Sequence, residues 1–128
     1  MTRESITSPK AAAVGPYSQG ILAGGFAFLS GQTPLDPAPG KLLQGDIAAQ
    51  TRRTLANLGA VLEAAGLGFD DVVECNVFLV DMADFAAMNA VYAEHFREPY
   101  PARTTIGVAS LPLGARIEIK LVARAREG

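Results

Sequence analysis

A chain of 128 residues, 49% hydrophobic and 19% charged, has the composition of one folded domain with enough length to bury a real core, so residues 1–128 are read as a single domain. Its net charge of -2 gives it no electrostatic reason to approach nucleic acid or an anionic membrane. The single cysteine, Cys75, excludes an intrachain disulfide framework and fits a reducing, cytoplasmic setting, and no run approaches the ~18 apolar residues of a membrane span.

The first elements in chain order lie in GILAGGFAFLSG, Gly20 to Gly31. Two short strands, Ile21–Ala23 and Phe26–Ser30, are expected there, turned at Gly24-Gly25, because glycine adopts the positive φ of a two-residue hairpin loop. TPLDPAPGK, Thr33 to Lys41, reads as a loop, since its three prolines remove ladder donors. From Asp46, residues Ile47, Leu55, Leu58, Leu62 and Ala65 recur at helical intervals, with Thr51 partly apolar, predicting an amphipathic helix capped by Asp46 and ended at Gly66. Val72 to Val80, VVECNVFLV, is a strand with Val73, Cys75, Val77 and Leu79 on one face, and Cys75 there reads as a small buried hydrophobe.

Asp81 to Asp84 has the form of a helix cap, followed by a stripe of Phe85, Met88, Tyr92 and Phe96 that ends before Pro99. His95, the only histidine, falls near that helix end and is assigned to capping or packing. No Cys, His, Asp and Glu residues show metal-ligand spacing. Two strands, Thr104–Ala109 and Arg116–Ala123, separated by the turn-prone LPLG, complete the chain. The order β-β-α-β-α-β-β predicts an α+β fold of two layers, with both helices on one face of a mixed sheet. The other face must meet water or another subunit, which makes oligomerisation the natural solution.

Strand parity places Arg103, Thr105, Gly107 and Ala109 on one face and Thr104, Ile106 and Val108 on the other. In the last strand it separates Arg116, Glu118, Lys120 and Val122 from Ile117, Ile119, Leu121 and Ala123. If these consecutive strands pair, Arg103 and Glu118 flank a pocket floored by small side chains. Parity alone favours an ordinary salt bridge on a solvated face. The alternative is a carboxylate site, because guanidinium is shaped for bidentate recognition and a shielded charged hydrogen bond contributes roughly 1.5–3 kcal/mol. Tyr17 and Ser18 of GPYSQG and Ser30 and Gly31 of SGQ read in isolation as turn chemistry, and Asn89 as a solvated polar residue.

In order, GPYSQG at 15–20, SGQ at 30–32, QTRRTLANLGAVLEAAG, VFLVDMADFAAMNAVY at 77–92, PART at 101–104 and IEIKLVA at 117–123 resemble the RidA/YjgF reactive intermediate deaminase family over nearly the whole chain. The resemblance implies a chorismate-mutase-like α+β protomer, a homotrimer with interfacial clefts, and hydrolysis of 2-enamine and 2-imino acids, such as 2-aminoacrylate, to 2-keto acids and ammonia without a cofactor. Carried over by motif, Arg103 grips the substrate carboxylate and Glu118 is associated with the attacking water. Tyr17, Ser30, Gly31, Asn89 and Thr105, the last on the Arg103 face, are expected with Arg103 to bind the substrate. Thr105 and Gly107 replace the cysteine and glutamate of some relatives, and Lys120 replaces an acid, so substrate range is open. The family also implies two rivals: a noncatalytic metabolite-binding or chaperone-like trimer, and an endoribonuclease, against which the acidic pI and the lack of a basic, aromatic stripe argue.

Overall fold

The computed structural model describes residues 2–11, 15–37 and 40–125. The chain runs β1 (Glu4–Ile6), β2 (Gly20–Ala23), β3 (Phe26–Gln32), β4 (Leu35–Asp36), β5 (Lys41–Leu42), α1 (Ile47–Ala64), β6 (Val72–Leu79), α2 (Phe85–His95), β7 (Ala102–Gly107) and β8 (Ile117–Arg124). Short 3₁₀ turns occupy Phe69–Asp71, Met82–Asp84 and Pro112–Gly114.

Local signals account for most of these boundaries. Gly24 and Gly25 both take positive φ, 59° and 82°, and close the β2–β3 hairpin with Ala23 opposite Phe26. Asp46 caps α1 by accepting a hydrogen bond from the Ala49 N–H at 2.9 Å, and Gly66, at φ 73°, lies just past its end. Leu55, Leu58 and Leu62 of that helix are fully buried, each stabilising the fold by roughly 1.5–3 kcal/mol. Asp81 accepts from the Ala83 N–H at 2.9 Å and starts the 3₁₀ turn that leads into α2. Met88, Val91 and Tyr92 form the buried side of α2, and Phe96 is buried immediately beyond its last turn. His95 packs as the sequence assigned it: Nδ1 lies 3.0 Å from the Val91 carbonyl oxygen, and the ring meets Phe69 edge-on.

The main sheet has the order β1-β2-β3-β8-β6-β7, and β4 and β5 form a separate two-stranded ribbon. Among the described residues, only β6 and β7 pair in parallel, as expected for strands joined by the α2 crossover. Ile117, Ile119, Leu121 and Ala123 of β8 join Cys75, Val77 and Leu79 of β6 and Ala27 and Leu29 of β3 in a core covered by the helices. On the opposite, uncovered face, Phe26, Phe28 and Ile106 are 40–47% exposed. No helix among the described residues is long and apolar enough to cross a membrane.

Four sequence expectations change. The two final strands do not pair, because β8, with the most regular apolar alternation in the chain, is inserted between β3 and β6. That leaves β7, whose residues are all exposed or half-buried, at the sheet edge. Val73 does not share the Cys75 face: a register shift between Val72 and Glu74 turns it outward, and Val72 is buried instead. TPLDPAPGK holds the β4–β5 ribbon, with Leu35 opposite Leu42, because its prolines leave those positions free to pair. Finally, β1 adds an edge strand at the beginning of the sheet that no sequence pattern announced.

Candidate active site

Two depressions contain the residues singled out by motif. The first, of about 530 Å³, is lined by Tyr17, Ser30, Gly31, Thr33, Leu35, Pro112, Leu113 and Glu118. A register irregularity in β3 between Leu29 and Gln32 gives the Ser30-Gly31 backbone its local shape. Gly31 then lies so close to Glu118 that a Cβ there would sit 2.6 Å from Oε2. Only glycine leaves room for the carboxylate in this position.

Surrounding hydrogen bonds hold the walls. Ser30 Oγ donates to the Ser18 carbonyl at 2.6 Å, and the Ser30 N–H donates to the Gln19 carbonyl at 2.9 Å. Buried Gln19 accepts from the Ser8 N–H at 2.6 Å and donates to the Ala11 carbonyl at 2.9 Å, anchoring the segment that carries Tyr17. Across the depression, buried Asn57 of α1 donates to the Thr33 and Leu35 carbonyls at 3.1 and 2.9 Å. Burial raises the Glu118 pKa above the ordinary carboxylate value, while the Lys120 ammonium on the same strand face pulls it the other way. A carboxylate so poised can exchange a proton with a bound water or substrate.

The second depression, of about 380 Å³, is lined by Asn89, Tyr92, Ala93, Tyr100, Pro101 and Arg103. Here α2 supplies Asn89, Tyr92 and Ala93, while the segment entering β7 supplies Tyr100, Pro101 and Arg103. The Arg103 guanidinium carbon lies 4.7 Å from the centroid of the Tyr92 ring and 5.6 Å from that of Phe85. Among the described residues, Arg103 donates no hydrogen bond and forms no ion pair, so its N–H edge is open to an anion. Beneath it, Cys75 is fully buried, and burial pushes its thiol up to about 11, which keeps it protonated and inert. Thr105, on the same strand face as Arg103, lines neither depression, and its hydroxyl is buried without a partner among the described residues.

Arg103 and Glu118 therefore do not flank one pocket within a chain. Arg103 lies opposite Cys75 on β6, whereas Glu118 lies opposite Phe78 across the other edge of that strand. An odd separation along β6 puts their side chains on opposite sheet faces, Arg103 toward the helix layer and Glu118 toward the uncovered face. Motif reading had singled out Tyr17, Ser30, Gly31, Asn89, Arg103 and Glu118 but not their division into two depressions. It also missed Leu113 and the site face of Tyr92, since a tyrosine in an apolar stripe reads as core. Among the described residues, no group of three or more His, Cys, Asp and Glu residues is arranged to hold a metal ion.

A family profile described as Endoribonuclease L-PSP matches residues 7–125. The chain belongs to this RidA/YjgF family. A RutC family protein of Pyrococcus horikoshii is 52% identical over 110 residues, covering 86% of this chain and 87% of that protein. The 2-iminobutanoate/2-iminopropanoate deaminase of Bos taurus is 43% identical over 124 residues, 96% of this chain and 90% of its own length. Among RidA/YjgF structures, Escherichia coli TdcF with bound serine superposes with a TM-score of 0.90 at 38% identity, covering 97% of this chain and 99% of TdcF.

Proposed function

We propose that the chain is a hydrolytic deaminase of reactive 2-enamine and 2-imino acids, acting in a cleft closed between copies of itself. The observation that carries the reading is the division of the site: an unpaired arginine on one face and a half-buried carboxylate, its pKa raised by burial, on the other. A second copy can bring its Arg103 depression against the Glu118 depression of the first, and a closed ring of such heterologous contacts makes a homotrimer. The apolar side chains on the uncovered face support burial in such an assembly. The names of relatives support the substrate class.

In this reading the N–H edge of Arg103 takes the substrate carboxylate in a bidentate grip. The enamine 2-aminoacrylate tautomerises to 2-iminopropanoate, whose C2 is electrophilic. Glu118 accepts a proton from water as the water oxygen bonds to C2 and the C=N π pair moves to nitrogen, and return of that proton to nitrogen gives a carbinolamine. Glu118 then relays the carbinolamine hydroxyl proton to nitrogen as C=O forms and the C–N bond breaks, releasing ammonia and pyruvate. Tyr17, Ser30, Gly31 and Asn89 shape the cleft, and Thr105 supports the Arg103 wall. The rate enhancement comes from positioning and fixed charge rather than a covalent intermediate. The enzyme thereby clears reactive products of other enzymes in the cytoplasm. The endoribonuclease description of the family is less well matched by this chain, whose net charge of -2 attracts phosphates weakly.

Imines generated in situ by an amino-acid oxidase test the reading. Folded Arg103→Ala and Glu118→Gln chains should each lose hydrolysis. Co-refolding them in equal amounts should restore about a quarter of wild-type activity, because random assembly pairs an intact Arg103 with a neighbour's intact Glu118 at that fraction of sites. Undiminished hydrolysis by either single variant would refute the chemistry, and no recovery on mixing would refute the shared cleft.

A further inference from the structure

We propose that Tyr92 is the positioning residue for Arg103: its ring face fixes the plane of the guanidinium, so that the N–H edge is presented to a ligand carboxylate before the ligand arrives. The inference rests on Arg103 being the carboxylate ligand, as argued above.

A guanidinium has two different surfaces. Its edge carries the N–H donors, while its face is weakly hydrated and stacks on aromatic rings. In this chain the guanidinium lies over Tyr92 at 4.7 Å and near Phe85 at 5.6 Å, and its edge has no partner among the described residues. Tyr92 is itself immobilised from behind. It is buried, it stacks on Phe96 with centroids 4.4 Å apart and planes 28° from parallel, and its buried hydroxyl adjoins the Cys75 thiol. Cys75 is in turn the register partner of Arg103. Phe96, just beyond α2, and Cys75 of β6 thus hold the ring, and the ring orders a long side chain that would otherwise lose rotamer freedom on binding. Arg103 would then be held with no ion-pair partner among the described residues to compete for it.

The test measures pyruvate affinity by calorimetry, and kcat and KM for 2-iminopropanoate, in wild type, Tyr92→Leu, Tyr92→Phe and Arg103→Ala proteins. Tyr92→Leu removes the ring and should weaken pyruvate binding and raise KM roughly three- to thirty-fold, with a smaller change in kcat. Tyr92→Phe keeps the ring and should recover most of that loss. A merely structural role would lower kcat through a smaller active fraction at unchanged KM. Should Tyr92→Leu fail to fold, the unmutated protein decides: the Arg103 side-chain protons should show upfield ring-current shifts in NMR spectra. Wild-type pyruvate affinity in a folded Tyr92→Leu variant, no recovery with Tyr92→Phe, a kcat loss at unchanged KM, or unshifted Arg103 protons would overturn the proposal. Undiminished pyruvate binding by Arg103→Ala would instead remove the role of Arg103, and this inference with it.

Discussion

Replacing Gly31 by alanine tests whether the seat of the Glu118 carboxylate matters to catalysis. The added Cβ would lie 2.6 Å from Oε2, 2.9 Å from Cδ and 3.2 Å from Cγ of Glu118. To reach ordinary contact at 3.4 Å the oxygen must retreat by about 0.8 Å, a displacement comparable to the 1 Å error that can cost on the order of 10²-fold in rate. What moves is the end of a flexible side chain, so the fold should survive with little change in Tm. Arg103 lies on the opposite face and is untouched, so KM for a carboxylate substrate should change far less than kcat. In the imine assay we expect kcat to fall on the order of 10²-fold. The displaced carboxylate should also be better solvated, which moves its pKa down toward the ordinary value and shifts the kcat profile to lower pH. A folded Gly31→Ala protein with wild-type kcat, or one whose loss appears in KM alone, would refute the reasoning.

Glu118→Gln separates stability from function. Between the ordinary carboxylate pKa and the raised one, the folded state binds more protons than the unfolded chain, so stability falls as pH rises through that window. Removing the charge should raise Tm at pH 7 while abolishing turnover, and the Tm difference should close below about pH 4. Asn57→Ala leaves the buried Thr33 and Leu35 carbonyls without their donor and should cost about 2–4 kcal/mol in urea unfolding; a cost near zero would mean those carbonyls find other partners. Cys75 should resist thiol reagents at pH 8 in the native protein and react on denaturation; rapid native labelling would contradict its burial.

The features that could be read without coordinates are those decided within a few residues. Asp46 and Asp81 cap where their spacing to the helix starts placed them, and Gly24-Gly25 turns the hairpin because no other residue pair takes two positive φ values so cheaply. Val73 escaped because an extra residue in a ladder leaves no mark in a strand's composition. The role of Tyr92 was hidden for a different reason. A ring that packs on Phe96 and also carries Arg103 has the same sequence signature as a ring that only packs.

By itself the sequence determined the helices, the hairpin and, wherever no register shift intervenes, which side chains share a strand face, because the two backbone periods are local geometry. It also placed Arg103 among small residues and Glu118 among polar ones. Only the tertiary structure decided that β8 enters between β3 and β6 and that β6 separates Arg103 and Glu118 onto opposite faces. Strand order depends on hydrogen bonds between segments far apart in the chain, and no local pattern states which edge a strand will join. That one choice replaces the single pocket expected from strand parity with two depressions, one at Arg103 and one at Glu118.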